Sequence, residues 1–578
     1  MKYCRKLILL FSLLIFSFFS FSQQNEYINA NEKILFNAKI FTANIVQPWA
    51  EAVAIHGNKI IAVGNFDEVK KTVSASASLI NMNGQTLLPG FIDSHSHSLD
   101  GGAGMLRANV NDSIFQIADL ATYAEQVRKD GTGMMENFLV IDGLNISTWS
   151  HINELSNIFN NGIYTNIPVF LRGSDGHTEW ANKLVLQTAG LTKGFLNNLA
   201  AESKKYYGVN ENGEPNGFVA DSGFDKIDAI LPADNTDWDK AAIKAMEYNN
   251  GFGITAWLEP AAGDISDTKN IYLEEYKKLS QQNKLTAHVA AVIVADANGD
   301  ATAQINKLKL LQQKYKGIKN LSLLGFKIFA DGVVEYPTQT AAMSMPYTNS
   351  ESKGALMFDP KKFANFATLA DKAKLLVHVH AIGDLAVSEA LNGFQAARKA
   401  NGNSGIPHTI THLQFVLPKD FSRFKQLGVL ASLQLLWAFG DVTTIDIVQP
   451  YIAPEIFQYQ YPARSLLHAG ATVCGASDWP VSTANPFAAI YNAETRLGER
   501  GVLDSTQCMP RMDMFYAYTI NAAKALQMQV SIGSIEPGKY ADMILVDRDV
   551  FTISPEQMKN TKVLWTMFEG RIIYKAEK

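Results

Sequence analysis

Short alternating runs of apolar and polar residues, separated by glycine turns, mark both ends of the chain. They occupy residues 34–40, 52–56 and 60–64, and again residues 541–546, 563–568 and 571–574. An alternation with a period of two is typical of strands that bury one face. We therefore predict a small β-sandwich domain built from both termini, from residues 23–89 and 531–578.

Between these ends, short apolar strands alternate with helical segments, which is typical of a parallel sheet with crossover helices. The strands are predicted at residues 91–97, 253–259, 285–294, 325–331, 375–380, 408–413, 429–433 and 471–478. Eight strands close a (β/α)8 barrel, so we predict an α/β barrel over residues 90–530. Residues 98–250 far exceed the usual βα loop of about 2–6 residues, which predicts an insertion subdomain that covers the catalytic face.

The first 22 residues have the order of a secretory signal. Three basic residues precede an apolar run at residues 7–21, and Ser20 and Ser22 stand at the −3 and −1 positions of a cleavage site. The run is shorter than the ~20 apolar residues that cross a bilayer. We therefore expect cleavage after Ser22, export to the periplasm or the outside of the cell, and no stable membrane insertion afterwards.

Composition narrows the class of protein. The 578 residues are 47% hydrophobic and 19% charged, which supplies a large core and excludes a disordered chain. The formal net charge is −5 and no long basic run occurs, so nucleic acid is not an expected partner. Only three cysteines occur, and Cys4 lies in the signal segment, so a disulfide scaffold is excluded as well.

Side chains that bind metals recur at the ends of the predicted barrel strands. They are His95, His97, Lys327, His380, His412 and Asp478. Residues two apart on a strand point to the same side, so we expect His95 and His97 to face one ion. An imidazole pair with an inward aspartate suits Zn²⁺ or a similar divalent ion.

The sequence around these residues resembles a known family. Residues 88–97, Leu-Pro-Gly-Phe-Ile-Asp-Ser-His-Ser-His, resemble the HxH motif on the first strand of the amidohydrolase superfamily. Further similar motifs follow in order at residues 326–332, 380–384, 411–414, 475–480 and 535–542. Within the superfamily the chain is most similar to amidohydrolase family 3, which includes N-substituted formamide deformylases. Residues 172–177 and Asn182 also resemble that branch.

This resemblance implies a metal-dependent hydrolase on a distorted TIM barrel with one or two divalent ions, zinc being the expected metal. It assigns His95, His97 and Asp478 to a first ion, and His380 and His412 to a second. Lys327, carboxylated by CO2 to a carbamate, would bridge the two, and a single-ion site is the alternative. Asp478 is the expected proton shuttle, so Asp478 and Lys327 are the expected catalytic residues.

The expected reaction is hydrolysis of an amide, N-acyl or N-formyl amine by metal-activated hydroxide. Deamination and ester hydrolysis on the same site, or a non-catalytic secreted binding protein on this fold, are the alternatives. Aromatic residues near the strand ends favour a small, apolar or aromatic amide as substrate, and a homodimer is left open. The candidate substrate-binding residues are Asp175, His177, Glu259, Trp257, Trp437 and Trp479. His378 is expected to support the site or pack in the core, and His408 to be structural.

Overall fold

The computed structural model describes residues 31–113, 116–232 and 235–577. The signal segment expected at residues 1–22 lies outside these residues. Among the described residues, no helix combines the length and the apolar character that crossing a bilayer requires.

The two ends of the chain together form one β-unit. Its strands are Glu32–Phe41, Trp49–His56, Lys59–Gly64, Ser78–Asn81, Thr86–Pro89, Met543–Val546, Val563–Phe568 and Arg571–Lys575. They are hydrogen-bonded into one continuous sheet, in which the C-terminal strand that begins at Met543 pairs antiparallel with the strand that ends at Pro89. Apolar residues from both ends, including Leu35, Val53 and Met543, pack in a common cluster. Short helices at Phe66–Lys70 and Pro555–Met558 flank the strands.

The central barrel is confirmed. Its strands are Phe91–Asp93, Ile254–Glu259, His288–Val294, Leu321–Phe329, Leu376–Ala381, Thr409–His412, Leu430–Leu433 and Val473–Gly475. They lie side by side in chain order, and each pairs in parallel with the next. The amide of Ser94, just past the first strand, donates to the carbonyl of Gly475 at 3.0 Å, so the eight strands form a nearly closed barrel.

The helices of the barrel begin and end where the local sequence dictates. In the helix Pro360–Lys372, for example, Asp359 accepts hydrogen bonds from the amides of the first turn, and proline occupies the first position. The longer helices are Trp238–Gly251, Ile271–Gln281, Ala301–Lys314, Pro360–Lys372, Asp384–Asn401, Pro418–Leu427 and Pro486–Thr495. Shorter ones are Ser98–Gly104, Pro454–Phe457, Ala463–His468, Arg511–Tyr516 and Ala522–Ala525, with π-helical turns at Val442–Val448 and Ala517–Asn521.

The insertion after the first barrel strand has its own sheet, which the sequence analysis did not predict. Its six strands are Met134–Met135, Phe138–Leu144, Val169–Gly173, Thr178–Ala181, Tyr207–Val209 and Pro215–Ala220. Neighbouring residues such as Phe170 and Leu171 point to opposite faces and join two different apolar clusters. Its helices are Ile117–Asp130, Ile152–Phe159, Lys183–Thr188, Lys193–Asn197, Ala201–Lys204 and Asp225–Asp228.

The ends of the first and last barrel strands differ from the prediction. The first strand stops at Asp93 and the last at Gly475, so His95, His97 and Asp478 lie in the segments that follow. The Asp93 carboxylate causes this, because its Oδ1 atom accepts hydrogen bonds from the amides of His95 at 3.0 Å and Ser477 at 3.1 Å. The prediction that His95 and His97 lie on the first strand was therefore wrong.

Candidate metal centre

Three imidazoles surround one carboxylate at the carboxyl end of the barrel. The Nε2 atoms of His95 and His97 lie 3.1 and 3.4 Å from Oδ1 of Asp478. The Nδ1 atom of His412 lies 3.7 Å from the other carboxylate oxygen, Oδ2. These residues come from the first, sixth and eighth strand ends, which meet here because the barrel is nearly closed.

The inward atoms of this cluster are buried without hydrogen-bond partners. Within the described residues, Nε2 of His95, Nδ1 of His412 and Oδ1 of Asp478 have none. One ligand atom of each of these residues lies within 4.8 Å of the others. Buried polar atoms are normally satisfied, and nitrogen and carboxylate oxygen are the ligands that Zn²⁺ takes. The residues therefore fit a divalent metal ion.

The electrostatics of the imidazoles agree with ligand chemistry. Burial lowers the pKa of His95, His380 and His412 well below the ordinary value, and the neighbouring charge on Lys327 or the other imidazoles lowers it further. These rings are therefore neutral at physiological pH, which is the form that binds a metal.

Two residues of the centre have backbones in the left-handed region. The φ angles are 76° at His412 and 56° at Asp478. Such angles are uncommon for residues other than glycine and cost about 1–3 kcal/mol each. The turn at each strand end thus holds these side chains over the barrel mouth at a conformational cost.

Lys327 lies on the fourth barrel strand, where the sequence placed it, and its side chain is buried. Burial lowers the pKa of Lys327 to about 7, although the charge of Asp478 opposes this shift. The amine lies over the ring of Phe329, 4.8 Å from its centre. Because of the lowered pKa, a large fraction of the Lys327 amine is neutral at physiological pH.

His378 and His380 lie on the fifth strand and have different surroundings. The Nε2 atom of His378 lies 2.6 Å from Nδ1 of His95, so one of these nitrogens donates to the other and fixes the His95 ring. The Nε2 atom of His380 donates to the carbonyl of Gly332 at 3.1 Å, which leaves Nδ1 for another partner. The His380 ring lies 4.5 Å from that of His412, measured between ring centres.

A second group of possible ligands adjoins the first at His97. Ligand atoms of His97, Asp100 and Glu259 lie within 4.8 Å of one another. Glu259 is fully buried, and its Oε2 atom accepts hydrogen bonds from the Trp257 indole at 3.3 Å and from the Tyr276 hydroxyl. Burial, with the nearby charge of Asp100, raises the pKa of Glu259 to about 8.

The insertion contributes His177 and Asp175 near this mouth. The ring of His177 lies 5.4 Å from that of His380, and its Nδ1 atom lies 2.7 Å from Oδ1 of Asp221. Asp175 instead holds the turn, because its Oδ1 atom accepts hydrogen bonds from the amides of His177 and Thr178 at 3.1 and 3.0 Å. These two candidates, which stand two residues apart in the sequence motif, therefore have different roles in the structure.

The three candidate tryptophans also have different surroundings. The half-buried ring of Trp437 stacks on His412, with 5.9 Å between ring centres and 8° between planes. Trp479 is buried and stacks on Tyr248 at 4.4 Å. Trp257 is fully buried in the barrel core and donates to Glu259. Of the three candidate tryptophans, Trp437 is therefore the one whose ring stacks on an imidazole of the metal centre.

Comparison with known proteins decides the family, because an amidohydrolase family model matches residues 78–574. The chain belongs to the amidohydrolase family. It is 27% identical to Protein LONG AFTER FAR-RED 3 of Arabidopsis thaliana over 93% of this chain and 91% of that protein. It is 24% identical to the N-substituted formamide deformylase of Arthrobacter pascens over 94% of this chain and 98% of that protein. A solved metal-dependent hydrolase from Pyrococcus horikoshii has the same fold, with a TM-score of 0.67 and 21% identity over 91% of this chain and 99% of that one.

Membership of the amidohydrolase family confirms the resemblance and the expectation of a hydrolase of carbon–nitrogen bonds. In this amidohydrolase, the buried aspartates Asp93 and Asp331 also lie beside the centre, although strand periodicity predicts no role for them. Asp331 accepts hydrogen bonds from the amides of Ala342, Ile382 and Gly383, and burial raises its pKa to about 7. Asp93 holds the two strand ends together. Both residues stand within motifs that the sequence shares with the family, and these motifs are the sequence feature that could have identified them.

Proposed function

We propose that the protein hydrolyses the C–N bond of an amide, N-acyl or N-formyl amine. The observation that carries this proposal is the set of three buried, unpartnered ligand atoms on His95, His412 and Asp478. Family membership supports the reaction class, and the relative named as an N-substituted formamide deformylase supports the acyl-amine substrate.

We assign the ligands as the family resemblance implies. His95, His97 and Asp478 would hold one divalent ion, and His380 and His412 a second, with zinc as the expected metal. A bound ion would lower the pKa of a water molecule towards ~7 and polarise the scissile carbonyl. A single ion held by His95, His412 and Asp478 is the alternative, and it would give the remaining imidazoles an orienting role.

Asp478 is the residue we assign to proton transfer. Its carboxylate takes a proton from the attacking water as the new C–O bond forms, and it returns that proton to the nitrogen as the C–N bond breaks. Burial raises the pKa of Asp478, while the charges of His97 and Lys327 lower it. The net effect is a raised pKa, which favours proton uptake by this carboxylate.

We propose that Lys327 carries a carbamate. The neutral amine is the form that adds CO2, with loss of a proton, and burial supplies it by lowering the pKa of Lys327 to about 7. The carbamate is an anion, which suits a position beside divalent cations better than an ammonium group.

We further propose an exported enzyme and a substrate with an apolar or aromatic group. The arrangement of charged, apolar and small residues at positions 1–22 supports export. The Trp437 ring against His412 supports an apolar group at the scissile bond. Mass analysis of the protein recovered from its producing cells should show an N-terminus at Gln23, and an intact Met1 would contradict export by cleavage.

A substrate panel tests the function. The zinc-loaded protein is incubated with N-formyl and N-acyl amines, the corresponding esters and amino-substituted heterocycles, and the products are identified by mass spectrometry. We expect release of the amine from the amides by the wild type and a strong loss in Asp478→Asn. Turnover restricted to the esters or heterocycles would contradict the amide assignment, and no turnover at full metal content would support a binding protein.

A further inference from the structure

His177 and Asp221 form a half-buried pair at the edge of the insertion that faces the barrel. The side chains are 17% and 6% exposed, and 2.7 Å separates Nδ1 of His177 from Oδ1 of Asp221. Although burial lowers the pKa of His177, the hydrogen bond and charge of Asp221 outweigh it and raise that pKa. Because Asp221 occupies Nδ1, Nε2 is the ring nitrogen that remains for another partner.

The backbone fixes this pair from both sides. Thr178 and Ala220 are register partners in the insertion sheet, so His177 and Asp221 leave the sheet side by side. The Asp221 amide donates to the His177 carbonyl at 3.1 Å, and the His177 amide donates to Asp175. Asp221 has a φ of 44°, a left-handed conformation uncommon outside glycine. Strained residues of this kind cluster at functional sites.

The pair lies close to the metal centre and to Gly332, in the loop after the fourth barrel strand. The ring centre of His177 lies 5.4 Å from that of His380, and His380 donates to the Gly332 carbonyl. A Cβ atom on Gly332 would lie 2.1 Å from Oγ1 of Thr340 and 3.2 Å from Oδ2 of Asp221, so the loop packs closely against both residues. That Oδ2 atom is buried and has no hydrogen-bond partner among the described residues.

His177 is also the more accessible of these neighbouring imidazoles. Its side chain is 17% exposed, compared with 4% for His380 and 5% for His412. His177 therefore remains accessible to solvent beside the centre, as does His97, whose side chain is 23% exposed. Its partner Asp221 is almost closed off from solvent.

We infer that His177 is a catalytic residue supplied by the insertion, which hydrogen-bonds the scissile group of the substrate through Nε2, and that Asp221 is its positioning residue. This inference rests on the proposed function and deepens it, because it makes the insertion part of the catalytic site. Asp221 holds the ring in one orientation, as a carboxylate does for a catalytic or metal-bound histidine.

The test compares His177→Ala, Asp221→Asn and the double variant with the wild type. His177→Ala should lower kcat by about 10²–10⁴ without loss of bound metal, and added imidazole should restore part of the rate. Asp221→Asn should lower kcat by about 10–100-fold with a smaller change in KM. The double variant should be no slower than His177→Ala, because Asp221 acts through His177.

His151→Ala is the matched control, because His151 also pairs with a carboxylate of the insertion, Glu154 at 2.9 Å, but on the exposed surface. It should keep wild-type kinetics. The inference would be overturned if His177→Ala kept a rate within threefold of wild type or lost its bound metal. Additive effects in the double variant would also overturn it. The assay uses whichever class of bond the wild type hydrolyses. If the wild type hydrolyses only esters, the amide assignment is refuted, but the rates of the variants relative to wild type still test the His177–Asp221 pair. An inert wild type would refute both.

Discussion

The Nε2 atom of His95 lies 3.1 Å from Oδ1 of Asp478, and this contact joins the two ends of the barrel sheet. His95 follows the first strand and Asp478 the eighth. The backbone makes the same junction, because the amide of Asp478 donates to the carbonyl of His95 at 2.9 Å. The candidate metal centre therefore forms only when the barrel closes, and a bound ion would stabilise that closure.

Asp478→Asn should lose turnover more than substrate binding. The amide can occupy the same place but cannot carry a proton between water and the leaving nitrogen, so kcat should fall about 10²–10⁴-fold with little change in KM. Steady-state kinetics at fixed metal concentration measure this. Asp446→Asn, at an aspartate whose partner Arg500 is also exposed, is the control and should be unchanged. A kcat within a few-fold of wild type would exclude Asp478 as the shuttle.

Lys327→Ala should lose most activity because it removes the anion that we place between the ligands. A short carboxylate such as acetate should restore part of the rate in this variant by filling the vacated space. The same acetate should give no recovery in Asp478→Asn, which serves as the comparison. Full activity of Lys327→Ala with one ion per chain would refute the carbamate and favour the single-ion alternative.

Trp437→Ala should weaken the binding of aromatic amides more than that of small aliphatic ones. The ring stacks on His412 and offers an apolar face beside the centre. We expect KM to rise several-fold for aromatic substrates, since an aromatic pair contributes about 0.5–1.5 kcal/mol beyond burial. Tyr336→Ala, at an exposed aromatic residue stacked on Tyr451, is the comparison. Equal changes for both substrate classes would argue against a substrate contact.

Asp371 should be important for stability and not for catalysis. Its buried carboxylate binds Arg398 at 2.5 Å and His408 at 3.0 Å, at the end of the barrel opposite the metal centre. Removing one partner of a buried ion pair costs about 3–5 kcal/mol, so Asp371→Asn should lower the free energy of unfolding by that order. Denaturant titration checks this, and Asp446→Asn should cost less than about 1 kcal/mol. Equal losses in both variants would contradict this account.

The same carboxylate predicts a pH dependence of stability. Burial alone would raise the pKa of Asp371, but hydrogen bonds from His408, Ser404 and Asn401 hold it well below its ordinary value. A depressed folded-state pKa stabilises the protein above the unfolded value of about 3.9, and this contribution is lost as the pH falls below it. The stability difference between wild type and Asp371→Asn should therefore shrink as the pH falls from 7 towards 3. A difference that stays constant would contradict this.

The sequence predicts the barrel well because its strands are short apolar runs in a regular order, and parallel strands bring their carboxyl ends together. Lys327, His380 and His412 lie on the expected strands for that reason. His408 was expected to be structural, and its Nδ1 atom accepts a hydrogen bond from the amide of Val377. These are consequences of position along a strand, which hydrophobic patterning reveals.

The remaining features depend on contacts between distant parts of the chain. The Asp93 carboxylate ends two strands at once through Ser477, which periodicity does not show. Asp221 meets His177 only through the register of the insertion sheet. Asp175 lies two residues from His177 yet holds the turn, because its carboxylate faces the amides of that turn. Patterning predicts which residues lie at the mouth but not which partner each side chain takes.

The metal content of purified variants tests the central claim most directly. Elemental analysis should find one or two divalent ions per chain in the wild type and in the surface control His151→Ala. His95→Ala and His412→Ala should each lose metal and activity, with circular dichroism spectra like that of the wild type. Unchanged metal content in both variants would contradict the assignment of the His95, His412 and Asp478 cluster as the metal centre.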